Sequence, residues 1–131
     1  MQILLLNGKS AALGYVFMNS KDFRVLQKMY KHTQAIIKYC ADCRSLKDFE
    51  ADSMCVEATV FNLMQIGELA KTSLSDEVKS QLSSIPWQQI YGLRNRIVHG
   101  YEGVSMQIVW DTVSEDIPLL NSQLKQAISE Y

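Results

Sequence analysis

A chain of 131 residues, 47% hydrophobic and 21% charged, is long enough for one domain with a buried core and too apolar to remain disordered. Its formal net charge of -1 excludes a protein that coats nucleic acid by bulk positive charge, so any contact with RNA must come from a local cluster of Arg and Lys. Three cysteines, an odd number at wide spacing, argue against a disulfide framework and fit a reducing, cytoplasmic setting, and no apolar run approaches the roughly 20 residues that span a bilayer.

The N-terminal run Ile3-Leu4-Leu5-Leu6 is shorter than the roughly 7–15 apolar residues of a signal-peptide core, and no positive charge precedes it. Met18 offers an alternative start, followed by Asn19-Ser20-Lys21-Asp22, which reads as a helix N-cap region. The expectation is an N-terminal extension over 1–17, carrying no functional weight, and one helical domain over 18–131.

Helical periodicity governs that domain. Phe23, Leu26, Tyr30, Thr33, Ile37 and Cys40 recur at steps of three and four, a single stripe on a helix that Ser20 can cap and that fades near Cys43. A second helix is expected over about 48–74. Met54, Ala58, Phe61, Gln65 and Leu69 form one of its stripes, and Val56, Val60, Leu63 and Gly67 form another. A helix apolar on two faces must be covered on both, either at the centre of a bundle or by a partner chain. Gly67 in its interior costs about 1 kcal/mol relative to Ala, and close helix approach is the natural compensation. A short helix over 76–82 has acidic residues in its first turn.

Pro86 then opens a helix carrying Trp87, Ile90, Leu93 and Ile97, with Gly100 placed to terminate it. The last helix, over about 105–129, carries Met106, Val109, Val113, Ile117, Leu120, Leu124 and Ile128, and Pro118 should kink it. No stretch alternates long enough to argue for a strand. The fold class is therefore all-α, a bundle of four to five helices.

The chemistry concentrates in Tyr91-Gly92-Leu93-Arg94-Asn95-Arg96-Ile97-Val98-His99-Gly100-Tyr101. Histidine moves protons near neutral pH, and arginine presents a rigid fork of donors that fits phosphate. Together they suit attack of an RNA 2′-hydroxyl on the adjacent phosphate, with His99 transferring a proton and Arg94 stabilising the phosphorane. The reaction requires no metal, and the sequence offers no acidic cluster for two magnesium ions. Residues five apart on a helix lie about 140° apart, so Arg94 and His99 are not stacked, whereas Arg96 and His99 are surface neighbours. The plainer use of an Arg and a His near a helix end is to neutralise its dipole and cap its carbonyls.

The segment resembles the Arg-x4-His-x-Tyr signature of HEPN-domain proteins, and especially the HepT-like toxin ribonucleases. Arg94, His99 and Tyr101 fill the pattern, and Asn95 matches the asparagine that follows the arginine. Ile66-Gly67-Glu68-Leu69-Ala70, Ile85-Pro86-Trp87, Tyr91-Gly92-Leu93-Arg94 and Asp116-Ile117-Pro118 extend the likeness to roughly residues 18–130. The resemblance implies a HEPN-like fold and an endoribonuclease toxin of a type VII-like toxin–antitoxin pair. In that reading Arg94 and His99 are catalytic, Asn95 and Arg96 support them, and no cofactor or metal takes part. It further implies a homodimer that joins two motifs at a cleft. Its partner would be an MNT-type nucleotidyltransferase antitoxin that attaches AMP to Tyr101. The competing reading is a non-catalytic helical partner of a nucleotidyltransferase, in which Arg94 and His99 only grip the phosphate of a nucleotide or substrate.

Other residues carry less. Cys40-Ala41-Asp42-Cys43 lacks a second ligand pair and reads as helix-end cysteines. His32 reads as a surface histidine. Glu68, in an apolar stretch, has three available roles: a buried hydrogen-bonding group, a dimer contact, or an orienter of the motif. Trp87 and Trp110 lie on apolar stripes and read as core. Lys21, Arg24, Lys28 and Lys31 form a basic stripe, which is either a solvated face or a guide for RNA or an acidic partner.

Overall fold

The computed structural model describes residues 18–100 and 103–131. The expected extension over 1–17, and Tyr101, lie outside the described residues. The described residues form helices and turns, with no strand among them: α1 (Ser20–Tyr39), α2 (Leu46–Ala51), α3 (Ser53–Thr72), α4 (Asp76–Gln81), α5 (Trp87–Val98), α6 (Met106–Asp111) and α7 (Ile117–Ser129). The all-α bundle is as expected, but the helix boundaries differ in three places, each for a local reason.

The first is the start of α1. Asn19, not Ser20, is its cap, and the Asn19 side chain accepts from the Asp22 N–H at 2.8 Å. The second is the long helix expected over 48–74, which is two helices meeting at Asp52. There the backbone leaves the helical region (φ -108°, ψ 89°), and the Asp52 carboxylate caps α3 by accepting from the Cys55 N–H at 3.0 Å. An aspartate offers the backbone this alternative to helix continuation.

The third is the last helix. A π-helical turn, Thr112–Asp116, separates α6 from α7, and the Ile117 N–H reaches back five residues to the Thr112 carbonyl. Pro118, in the first turn of α7, has no N–H to return to the preceding turn. The wider turn absorbs that loss just before the proline, where a simple kink was expected.

Helix α3 occupies the centre, packed against α1 on one side and α5 on the other, while α1 also packs on α7. One of its two apolar faces is covered within the chain, where Thr59, Val60, Leu63, Ile66, Gly67 and Ala70 are all buried, but the other is not: Met54 is 81% and Phe61 53% exposed, and Ala58, Gln65 and Leu69 are only half-buried. Leu26, Met29, Ile36, Phe49, Val109 and Leu124 fill the core around it. Trp87 is buried as expected and donates its indole N–H to the Lys79 and Leu82 carbonyls at 3.1 and 3.2 Å. Trp110 is half-buried and packs on Phe49, ring centroids 5.6 Å apart. Asp22, also buried, accepts from the Ser75 N–H and hydroxyl at 3.0 and 2.8 Å, tying the start of α1 to the cap of α4.

The α3–α5 contact is the tightest constraint in the bundle. A Cβ on Gly67 would lie 2.3 Å from the Arg94 Cβ and 2.7 Å from its Cγ. Gly92, in the interior of α5, meets nothing within 4 Å. Gly67→Ala should therefore destabilise the protein by about 1–3 kcal/mol through overpacking. Gly92→Ala should stabilise it by roughly 0.5–1 kcal/mol through helix propensity alone. Chemical denaturation of the two variants checks the opposite signs.

Candidate active site

The close approach of α5 to Gly67 lays the stem of Arg94 along α3 and brings its guanidinium to Glu68, the next residue on that helix. The Arg94 Nε donates to Glu68 Oε2 at 2.8 Å, and Nη2 donates to the same oxygen. Nη1 donates to Asn95 Oδ1 at 2.8 Å. A guanidinium has five N–H donors. Three are taken here, which leaves one on Nη1 and one on Nη2 unassigned among the described residues. The Arg94 side chain is 20% exposed and that of Glu68 42%, so the pair is half-screened by water and contributes on the order of 1 kcal/mol to stability. That is too little to hold the fold, but a fork fixed on two acceptors loses little further freedom when it meets a phosphate.

Glu68 is not fully buried, and its ion pair with Arg94 is the contact that an orienter of the motif would make. Asn95 also falls into place, as an acceptor on the Arg94 fork. Arg96 does not join them. Two residues on from Arg94, it lies about 200° around α5. It is exposed and lines a cavity of about 330 Å³ with Leu93 of α5, Ile66 of α3, Ile117 and Leu120 of α7, and Asp116 of the π-helical turn.

His99 follows the last residue of α5, and its backbone N–H donates to the Asn95 carbonyl at 3.1 Å. Its side chain is exposed and has no hydrogen bond to another described residue, Arg94 included. Gly100 ends the helix as expected, with φ +112°, a conformation that costs glycine nothing and other residues a good deal. The backbone thus turns sharply right after the histidine. The residue with which it continues, Tyr101, lies outside the described residues.

Two further polar contacts were not legible in the sequence. Lys79 Nζ donates to the Ala70 carbonyl at 3.1 Å and to the Tyr91 hydroxyl at 2.8 Å, pinning the start of α5 to the end of α3. Burial lowers the Lys79 pKa, but the hydrogen bond and charge interaction with Tyr91, then those with Asp76, outweigh it, and the ammonium ends above its ordinary value. His32 is half-buried, not a plain surface residue. Asn62 donates its amide to the Ala58 carbonyl, so its Oδ1 accepts from His32 Nδ1 at 2.7 Å. Asn62, a polar residue flanked by apolar ones on α3, was the available signal. The basic residues Lys21, Arg24, Lys28 and Lys31 are all exposed.

Among the described residues no group of three His, Cys, Asp or Glu side chains is arranged to hold a metal ion, and no helix is long and apolar enough to cross a membrane.

A family model described as Ribonuclease HepT-like matches residues 29–127. A protein of Caldanaerobacter subterraneus subsp. tengcongensis, provisionally named an RNase, is 36% identical over 86 residues, 66% of this chain and 76% of the relative. A protein of Thermococcus cleftensis, provisionally named ribonuclease HepT, is 32% identical over 80 residues, 61% of this chain and 72% of its own. A protein of Methanocaldococcus jannaschii, again provisionally named an RNase, is 25% identical over 109 residues, 82% of this chain and 98% of the relative. No solved structure matches the chain. The family match runs from the middle of α1 to the last turns of α7 and takes in the whole Arg94-to-His99 segment, so the chain belongs to the HepT-like ribonuclease family.

Proposed function

We propose that this chain is a metal-independent endoribonuclease toxin in which Arg94 and His99 act on one phosphodiester. The observation that carries the reading is the held guanidinium: Glu68 and Asn95 take three of the Arg94 donors, and the other two, which have no partner among the described residues, would meet a phosphate. His99, exposed at the end of α5, takes the proton of the RNA 2′-hydroxyl as it attacks the neighbouring phosphorus. Arg94 stabilises the charge that builds on the phosphorane oxygens. The 5′-oxygen then leaves with a proton, and the upstream product ends in a 2′,3′-cyclic phosphate.

Because His99 and Arg94 share no hydrogen bond within the chain, the reading assigns the active unit to a homodimer, where the histidine of one copy and the arginine of the other can face the same phosphate across a cleft. Arg96, on the opposite side of α5, supports binding instead of taking part in the chemistry. The toxin works in the cytoplasm and is restrained by an MNT-type nucleotidyltransferase, which transfers AMP to the Tyr101 hydroxyl and blocks the site.

Arg94→Ala and His99→Ala are expected each to abolish RNA cleavage, a loss of about 10² or more, with helical content retained and the melting temperature lowered by at most about 5 °C, the larger shift at Arg94. Cleavage by the wild-type chain should persist in EDTA and yield cyclic phosphate ends, read on a labelled RNA. A variant at either position that cleaves at the wild-type rate, or a chain that binds nucleotide and never cuts RNA, overturns the assignment. Incubation with ATP and the cognate nucleotidyltransferase should add mass in steps of one AMP, and Tyr101→Phe should prevent it; addition that survives that substitution places the modification elsewhere.

A further inference from the structure

Away from the Arg94 site, three sulfurs meet where α1, α2 and α3 join. Cys40 follows the last residue of α1, Cys43 lies in the turn beyond it, and Cys55 is in the first turn of α3. The Cys55 Sγ is shared: it stands 2.8 Å from the Cys40 Sγ and 4.0 Å from the Cys43 Sγ. Cys40 and Cys55 are buried, Cys43 is half-buried, and the Thr59 hydroxyl lies 3.2 Å from the Cys40 sulfur. A disulfide needs its sulfurs at about 2.05 Å. Closing Cys40 onto Cys55 therefore takes a sulfur movement of roughly 0.8 Å, within reach of side-chain torsions without moving a helix.

We propose that Cys40, Cys43 and Cys55 form a redox site that hydrogen peroxide oxidises first at Cys43 and that settles as a Cys40–Cys55 disulfide. Cys43, the least buried of the three, supplies a thiolate that attacks one peroxide oxygen. The O–O bond breaks, Cys43 becomes a sulfenic acid, and the departing hydroxide takes up the thiol proton as water. The Cys55 sulfur attacks Cys43, the S–O bond breaks, and a second water leaves. The Cys40 sulfur then attacks Cys55 and expels Cys43 as a thiol, which takes the proton Cys40 gives up. In sum, two thiols are oxidised to one disulfide and one peroxide is reduced to two waters.

The surroundings set the threshold of this site. Burial pushes the Cys43 thiol up to about 11, with the neighbouring Cys55 and the carboxylates of Asp52 and Asp48 adding to the shift. Burial and then Cys40 push Cys55 up to about 12. Only the thiolate attacks, so the trio stays reduced near neutral pH and reacts faster as pH rises toward these values. Cys55 lies twelve residues before Gly67 on α3, about 18 Å along the helix, so the site is separate from the Arg94 fork.

The test is oxidation of the whole chain with hydrogen peroxide at pH 9, then maleimide labelling under denaturing conditions and peptide mapping by mass. The expected product carries one maleimide where the reduced chain carries three, contains a peptide pair joined through Cys40 and Cys55, and reverts with dithiothreitol. Cys43→Ser should give the same cross-link about tenfold more slowly or worse, since the entry thiol is gone. Cys40→Ala should stop at a Cys43–Cys55 disulfide. Three maleimides after oxidation, an irreversible sulfinic acid on Cys43 with no cross-link, or a Cys43→Ser chain that oxidises at the wild-type rate would each overturn the proposal. If a variant does not fold, the wild-type peptide map decides by itself.

Discussion

The contact between the backbone of α3 at Gly67 and the side-chain stem of Arg94 is the constraint on which the rest depends. A single methyl group there would sit 2.3 Å from the Arg94 Cβ, far inside any allowed contact. Removing it lets α5 lie against the central helix and turns an arginine that could have swung into solvent into one whose fork is held by Glu68 and Asn95. The same glycine that costs helix propensity in α3 is thus the condition for a preorganised cation at the protein surface. Around it, Lys79 ties Tyr91 to the end of α3, and Trp87 hangs α5 from the carbonyls of α4 and the turn that follows it, so the arginine stands on a helix anchored through its first half.

A weakly acidic protein that cuts RNA must concentrate its attraction for phosphate, and this one does so without isolating a charge. Glu68 offsets much of the Arg94 charge in the resting molecule while two donors have no partner among the described residues. On the proposed reading, a phosphate would meet geometry more than net charge, which suits stabilising a trigonal-bipyramidal phosphorus over the ground-state ester. The exposed ring of His99, just before a glycine with positive φ, has the opposite character: it is placed by the backbone and left without a side-chain partner among the described residues. One group is held and the other is presented.

Much of this was legible in the sequence wherever a short-range rule applies. Apolar steps of three and four gave the helices, Gly67 gave the close approach, and Gly100 gave the end of α5, whereas the second apolar stripe of α3, through Met54 and Phe61, stays exposed within the chain. The misses came where one local effect overrode a continuing pattern. Apolar spacing runs through Asp52 without a break, and only the capping preference of its carboxylate divides α2 from α3. Pro118 announced an irregularity, but whether it is a kink or a wider turn depends on which carbonyl finds a donor. The partners of Arg94, the His32–Asn62 pair and the meeting of three cysteines all join residues far apart in the chain, and no spacing rule reaches across helices. Arg96 shows the converse: near Arg94 in sequence, it faces away from it.

The most direct test of the account is the cleavage rate of Glu68→Gln, which keeps the size of the side chain and removes the charge that holds the Arg94 fork. The account predicts a fall in kcat of roughly 10–100-fold with a melting temperature lowered by only about 5 °C or less, as expected when a catalytic group loses its alignment and not its fold. A Glu68→Gln chain that folds normally and cleaves RNA at the wild-type rate would contradict it.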